Sequence, residues 1–307
     1  MKYIYGLQFF ESSRPTAVTI GKFDGFHVGH QKLLEKVRSL SADGDIASVV
    51  IAFDMIPFFR ARGCFLGVIM ERSEKRAYLA DKVDYFVDCP FDESVSEMEA
   101  EDFVRNVLAG KMKARHIVIG EDFRFGKDRK GDAGLLEEMA KECGYKVHVV
   151  PDVYRGDKKI SSSYIREDLK AGKMTQVNEL LGHPYQMFGR VARGRSMGAS
   201  QFDMATINIE PDPVKALPPF GVYVVGVKIG DNVYQGVGNL GVKPTVGALE
   251  RPDLEVHMLG FDEEIYGVDV VVSFYRFLRP ERRFESLEAL KEQMHKDLEE
   301  AQREWNR

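Results

Sequence analysis

Apolar and polar positions follow two different rhythms along this chain, and the change falls near residue 184. In the first part, short apolar runs alternate with segments of helical spacing. Ala17-Val18-Thr19-Ile20, Ala47–Phe53, Tyr85-Phe86-Val87, His116–Ile119 and Tyr145–Val150 have the length and composition of buried strands. A lead-in strand around Tyr3-Ile4-Tyr5 precedes them. Between the runs, Leu33, Leu34, Val37 and Leu40, then Tyr78 and Leu79, then Phe103, Val104, Val107 and Leu108, then Leu135, Leu136 and Met139 recur at helical intervals. Strands alternating with helices predict a parallel sheet with right-handed crossovers, with ligands held beyond the carboxyl ends of its strands. Gly21, Asp54 and Gly120 each follow a strand, so their loops are expected along one edge.

Leu180-Leu181-Gly182-His183-Pro184 is a helix stop, and beyond it the rhythm becomes strands separated by turns. The expected strands are 187–191, 205–209, 221–228, 233–238, 254–259 and 268–275, which predict a small antiparallel barrel or sandwich. A last helix follows, capped by Ser286, with Leu287, Leu290, Met294 and Leu298 on one face; residues 299–307 are expected to fray. The reading is thus α/β, in two domains, 1–184 and 185–307.

Composition narrows the function classes. With 307 residues, 44% hydrophobic and 30% charged, the chain suits two globular domains. A formal charge of -5 and no long basic run argue against nucleic acid. No apolar run approaches the ~18 residues of a membrane span, and no signal pattern opens the chain, so a cytoplasmic protein is expected. Cys64, Cys89 and Cys143 are odd in number and widely spaced, which reads as reduced core thiols rather than disulfides or metal ligands.

The chemistry concentrates in Gly21-Lys22-Phe23-Asp24-Gly25-Phe26-His27-Val28-Gly29-His30, between a strand and a helix start. A helix N-terminus leaves N–H groups unpaired and suits phosphate, and paired imidazoles can donate to the same anion. A turn histidine followed by a capping histidine is the plainer alternative for either ring alone. Two further segments share that edge: Gly120–Asp132, with Phe123 and Phe125 among basic residues, and Ile160-Ser161-Ser162-Ser163-Tyr164-Ile165-Arg166. Serines at a helix start cap N–H groups and equally well hold phosphate.

The H-x-G-H turn after a strand resembles the signature of nucleotidylyltransferases. The longer pattern, with Gly120-x-Asp122-Phe123-Arg124-Phe125-Gly126 and Ile160–Arg166, resembles the prokaryotic bifunctional riboflavin kinase/FMN adenylyltransferase family, also called FAD synthetases. Its kinase half is echoed by Gly221-Val222-Tyr223, Gly236–Thr245, Glu255-Val256-His257, Ile265-Tyr266-Gly267 and Phe277-Leu278-Arg279-Pro280-Glu281, in family order. The resemblance implies a Rossmann-like nucleotidylyltransferase domain followed by a riboflavin kinase barrel, with ATP as co-substrate, Mg²⁺ as cofactor, riboflavin and FMN as substrates, and FMN and FAD as products. It implies catalytic roles for His27, His30 and Arg166 in adenylyl transfer, and for Glu255 as base in phosphorylation. Gly21, Phe23, Asp24, Gly29, Ser162 and Ser163 would bind nucleotide or phosphate; Asp122, Phe123, Phe125 and Arg279 would bind flavin; Thr206 and Asn208 would hold metal and phosphate.

Three departures stand out against the family pattern. Lys22 replaces an Asn. Ile56 replaces the histidine of F-D-P-H-P. Asp203 and Ala205 replace the glycine and proline of the kinase nucleotide loop, L-G-F-P-T-A-N. Two other readings therefore stay open: an FMN adenylyltransferase whose barrel only binds flavin or serves assembly, and a flavin-sensing binding protein. Oligomeric state is left open.

Overall fold

The structure, a computed structural model, describes residues 1–192, 206–243, 251–261 and 263–305. It divides into two compact units, one of residues 1–66 and 75–162, the other of 67–74 and 163–307.

The first unit is a six-stranded parallel sheet. Its strands are β1 (Lys2–Tyr5), β2 (Thr16–Gly21), β3 (Ala47–Asp54), β4 (Tyr85–Pro90), β5 (Ala114–Gly120) and β6 (Lys146–Val150), in the order β1-β4-β3-β2-β5-β6. Central strands buried on both faces are rich in apolar residues, and β2 and β3 are buried along almost their whole length, with Thr16 and Thr19 of β2 buried among apolar neighbours. Val18, Ile20, Val49, Ile51, Ile117 and Ile119 share a core with Phe103, Val104, Leu108 and Leu136. Helix α1 (Val28–Leu40) packs across β2, β3 and β5, burying Leu33, Leu34 and Val37. The remaining helices up to α6 are α2 (Ile56–Ala61), α3 (Arg72–Leu79), α4 (Glu93–Ser96), α5 (Ala100–Asp102), which continues as a π-helix over Phe103–Lys111, and α6 (Ala133–Cys143). Helix α6 is capped at one end by Asp132, whose carboxylate accepts the Leu135 N–H, and at the other by Gly144 at φ 74°. A small hairpin, β7 (Tyr154–Arg155) and β8 (Lys158–Lys159), follows β6. After β2 the chain builds outward through β3 and β4, then returns to β5 on the other side of β2. The carboxyl ends of β2 and β5 therefore flank the topological switch point.

The second unit holds the antiparallel sheet. Its strands are β9 (Tyr185–Arg190), β10 (Thr206–Ile209), β11 (Gly221–Ile229), β12 (Asn232–Lys243), β13 (Arg251–Met258) and β14 (Asp269–Pro280), ordered β10-β13-β12-β11-β14-β9. Just past β9, Ala192 pairs with Asn208, which joins the two ends of that order into a ring. A side chain at Gly189 would collide with Ile209, so glycine allows this approach. Helix α7 (Ser162–Lys170) begins at the division between the units. Helix α8 (Met174–Leu181) buries Met174, Val177, Leu180 and Leu181, and Asn178 donates to Phe274 O (2.8 Å) while accepting from Tyr185 N (2.8 Å).

The last helix, α9 (Leu287–Trp305), has the expected Ser286 cap, which accepts the Ala289 N–H at 3.1 Å. The expected fraying of 299–307 is corrected for the described part. Ala301 is fully buried, and Trp305 packs on Tyr275 with ring centroids 4.7 Å apart, so apolar contacts hold the last turn in place. Cys64 also departs from expectation: it is exposed, whereas Cys89 is buried and Cys143 half-buried, all three as free thiols. Among the described residues no cluster of His, Cys, Asp and Glu could hold a metal ion, and no helix is long and apolar enough to cross a membrane.

Candidate active sites

At the end of β2 the chain turns sharply. Phe23 and Phe26 adopt φ 45° and 40°, and Gly25 φ 94°. A bulky residue in this region is uncommon and needs support. It comes from stacking: both rings are fully buried, parallel and 5.1 Å apart, and Tyr78 of α3 stacks on Phe26 at 5.0 Å. Lys75, one turn earlier on α3, donates to the Lys22 carbonyl at 3.2 Å. On the other side, the Ser162 hydroxyl donates to Asp24 O at 2.9 Å. The turn is therefore held by its own rings and by two distant segments.

His27 caps α1, its Nδ1 accepting the His30 N–H at 3.4 Å. In the neutral ring this leaves the proton on Nε2, a donor. The two imidazoles stack, centroids 3.6 Å apart, and Phe23 meets His30 edge-on at 5.1 Å. Gly29 makes the stack possible, since a Cβ there would meet His27 Cε1 and Nδ1 at 3.2 Å. Burial first, then the Lys159 charge, lowers the His27 pKa to about 4. Burial, then His27 and Lys75, holds His30 well below the usual histidine range. Both rings are thus neutral donors at physiological pH, beside unpaired N–H groups at a helix start. His30 Nδ1 is buried with no hydrogen-bond partner among the described residues.

The loop after β5 closes on itself, Phe125 and Gly131 exchanging backbone hydrogen bonds of 3.0 and 2.9 Å. Phe125 is buried against Phe103 and lies under Phe123, which stacks on it at 5.5 Å and is half-buried. Phe125 therefore supports the loop from within the core, and Phe123 is the ring nearer the surface. Asp122 pairs with Lys159 at 2.6 Å, and that hydrogen bond holds its carboxyl below the usual range. Lys159 also pairs with Asp152 at 2.6 Å. Ser163 and Arg166 belong to the second unit, where Ser163 is exposed and the Arg166 Nε donates to Gly67 O at 3.2 Å. Lys22 is exposed, its ammonium 5.7 Å from the Phe59 ring, and Ile56 opens α2.

In the barrel, Glu255 on β13 lies opposite Asn208 on β10 and Asn239 on β12. Two residues along, His257 faces Thr206. Directly opposed residues share a face, as do positions two apart, so Thr206, Asn208, Glu255 and His257 lie on one side of the sheet. Asn208 is buried and Glu255 half-buried. Arg279 forms a bidentate pair with Asp297 of α9, at 3.1 and 2.7 Å, with side-chain exposures of only 18% and 5%. Asn239 donates to Glu281 at 3.4 Å. Asp203, Ala205 and the Pro244-Thr245 pair lie outside the described residues.

Two family models match, FAD synthetase over residues 10–164 and riboflavin kinase over 181–305. The bifunctional riboflavin kinase/FMN adenylyltransferase of Haemophilus influenzae is 34% identical over 300 residues, covering 94% of each chain. That of Pseudomonas fluorescens is 33% identical, covering 93% of this chain and 91% of the relative. This chain belongs to the bifunctional riboflavin kinase/FMN adenylyltransferase family. The Escherichia coli K12 member is 33% identical over 91% of this chain and 90% of its own length. A crystal structure of a Streptococcus pneumoniae protein named macrolide-efflux protein matches with a TM-score of 0.85 and 26% identity, covering 98% of this chain and 99% of that one.

Within this family member, Gly21, Phe23, Asp24, His27, Gly29, His30 and Ser162 come together around one turn. Asp122 and Phe123 stand on the loop after the neighbouring strand. Residues that sequence patterns did not single out are Lys75 and Lys159, tied to the turn by a hydrogen bond and by charge. A lone lysine carries no local pattern, and only the tertiary pairing reveals these.

Proposed function

We propose that this chain performs both reactions of its family, adenylyl transfer in residues 1–184 and riboflavin phosphorylation in residues 185–307, as a cytoplasmic enzyme. The observation that carries the first is the pair of stacked, neutral imidazoles at the start of α1, set at the switch point of a parallel sheet. In this reaction an FMN phosphate oxygen attacks the α-phosphorus of ATP, the α–β bond breaks, and pyrophosphate leaves with FAD as product. No protein nucleophile is needed, so positioning and charge stabilisation supply the rate. His27 Nε2–H and the helix N–H groups donate to phosphate oxygens as negative charge builds. His30 orients His27 through its amide and ring. Gly21, Asp24, Ser162, Ser163 and Arg166 are assigned to nucleotide and phosphate, and Asp122 and Phe123 to the flavin, with Phe125 beneath.

In the barrel, Glu255 takes the proton from the terminal ribityl hydroxyl of riboflavin as that oxygen attacks the γ-phosphorus of ATP, releasing ADP. The hydroxyl of Thr206 and the amide oxygen of Asn208, on one face with a carboxylate, form the hard oxygen set that Mg²⁺ favours. Mg²⁺ bound there would neutralise phosphate charge. Arg279 is committed to Asp297, so its part in flavin binding is to fix α9 against β14.

The test is His30→Ala. FAD formation from supplied FMN should fall by at least a hundredfold, with riboflavin phosphorylation retained. Unchanged FAD formation would remove this turn from the adenylyl-transfer site. Adenylyl transfer alone is the second reading, which Asp203 and Ala205 favour; failure to phosphorylate riboflavin would select it.

A further inference from the structure

Outside both sites, the second unit contains a lysine whose side chain has no solvent exposure, Lys215. A buried ammonium is strongly unfavourable unless paired and hydrogen-bonded. Its Nζ donates to both carboxylate oxygens of Glu74 at 2.5 Å and to Ile69 O at 3.0 Å, and lies 4.8 Å from the Tyr185 ring centre. Glu74 in turn accepts the Glu71 N–H at 2.7 Å. Glu71 stands farther off, at 3.9 Å, and burial pushes its carboxyl up to about 7, so the ion pair proper is Lys215–Glu74.

The segment that Lys215 grips is unusual in its placement. Residues 67–74 lie in sequence within the FAD synthetase match yet fold with the second unit. Val68 forms a parallel bridge with Lys215, through Val68 N to Val214 O (2.7 Å) and Ala216 N to Val68 O (2.8 Å). Gly67, at φ +82°, has no room for a side chain, since a Cβ would meet the Ala216 backbone at 2.8 Å. Tyr185 locks the other side, its hydroxyl donating to Ala216 O at 2.6 Å.

Helix α3 begins inside this segment, and its next residues do different work. Lys75 donates to Lys22 O, and Tyr78 stacks on Phe26, whose backbone is held at positive φ. The chain passes from one unit to the other at the Glu74–Lys75 peptide bond. A lysine in the barrel half of the sequence thus fixes the first turn of the helix that supports the H-x-G-H turn. We propose that Lys215 is a positioning residue for adenylyl transfer, acting through Glu74 to set helix α3 and with it the Lys75 and Tyr78 supports. This rests on the reading of the H-x-G-H turn as the adenylyl-transfer site.

The test measures both activities in the full chain of Lys215→Met, Glu74→Gln and the double variant. Lys215→Met leaves a buried carboxylate unpaired; Glu74→Gln removes that charge while keeping an acceptor for the Glu71 N–H. In Lys215→Met, kcat for FAD formation from FMN should fall about tenfold while kcat and KM for riboflavin phosphorylation stay within about twofold. The double variant should be no worse than Lys215→Met alone, because the two residues act as a pair. Equal losses in both activities, an unchanged adenylylation kcat, or additive losses in the double variant would each overturn the proposal. If Lys215→Met does not fold, Glu74→Gln alone carries the test, with the same selective loss expected and an equal or absent loss overturning it. His30→Ala, assayed alongside, separates the two ideas: if it leaves FAD formation intact, the site reading fails, and if only the Lys215 and Glu74 variants are silent, the positioning role fails.

Discussion

Replacing Gly29 with alanine should separate stability from catalysis. Gly29 is the second residue of α1, and its φ is not in the left-handed region. Alanine is therefore compatible with its backbone and favours a helix over glycine by up to about 1 kcal/mol. The new Cβ would meet the His27 ring at 3.2 Å, tighter than ordinary van der Waals contact, so the ring has to shift by a few tenths of an ångström. His27 has little room to move, because it is stacked on His30 at 3.6 Å. Misplacement of a positioning group by about 1 Å can cost on the order of a hundredfold in rate, so a shift of this size should lower adenylyl transfer by about tenfold. The assays are urea unfolding for stability and FAD formation from FMN for rate. The expected pair of results is a midpoint equal to or above that of the wild type with a rate about tenfold lower. A rate unchanged by the substitution would show that the contact between Gly29 and His27 does not set the catalytic geometry.

Three further outcomes follow from the same geometry. Glu255→Gln should lower riboflavin phosphorylation by about a hundredfold or more, the usual worth of a general base, with FAD formation from FMN untouched; a kinase rate that ignores the change would assign the base elsewhere. His27 is buried neutral, with its pKa lowered from 6.5 to about 4, so the unfolded chain binds more protons between those values. Its contribution is complete above about pH 6.5 and is lost as pH falls towards 4, by an amount on the order of 3 kcal/mol; His27→Gln should flatten the urea midpoint over that window, and an equally steep profile would count against the neutral assignment. Asp297→Ala leaves the largely buried Arg279 guanidinium without its carboxylate and should destabilise the barrel by about 3 kcal/mol in urea unfolding, whereas a loss below about 1 kcal/mol would mark the pair as surface-like.

The fold was legible wherever one local rule sufficed. Apolar runs such as Val49-Val50-Ile51 give buried parallel strands, and Gly21, Asp54 and Gly120 do end neighbouring strands at one edge. Helix α2 escaped notice because Ile56-Pro57-Phe58-Phe59 is too short and too uniformly apolar to show a period. The last turn of α9 has the position of a fraying terminus, but Trp305 supplies an apolar anchor that spacing alone does not reveal. At the turn, the motif marked the histidines but not what holds them. The supports are Lys75, Tyr78 and Ser162, brought from 45 or more positions away by the fold. Phe123 and Phe125 look equivalent in sequence, yet Gly131 leaves space for the Phe125 ring and the core takes it. Lys215 had no local signal at all, since its partners lie 141 and 146 positions away.

The most direct measurement of the central claim is product analysis after incubating the full chain with riboflavin, ATP and Mg²⁺. FMN should appear first and FAD after it, with one ADP and one pyrophosphate released for each FAD formed from riboflavin. Absence of FAD, even when FMN and ATP are supplied directly, would contradict adenylyl transfer at the H-x-G-H turn.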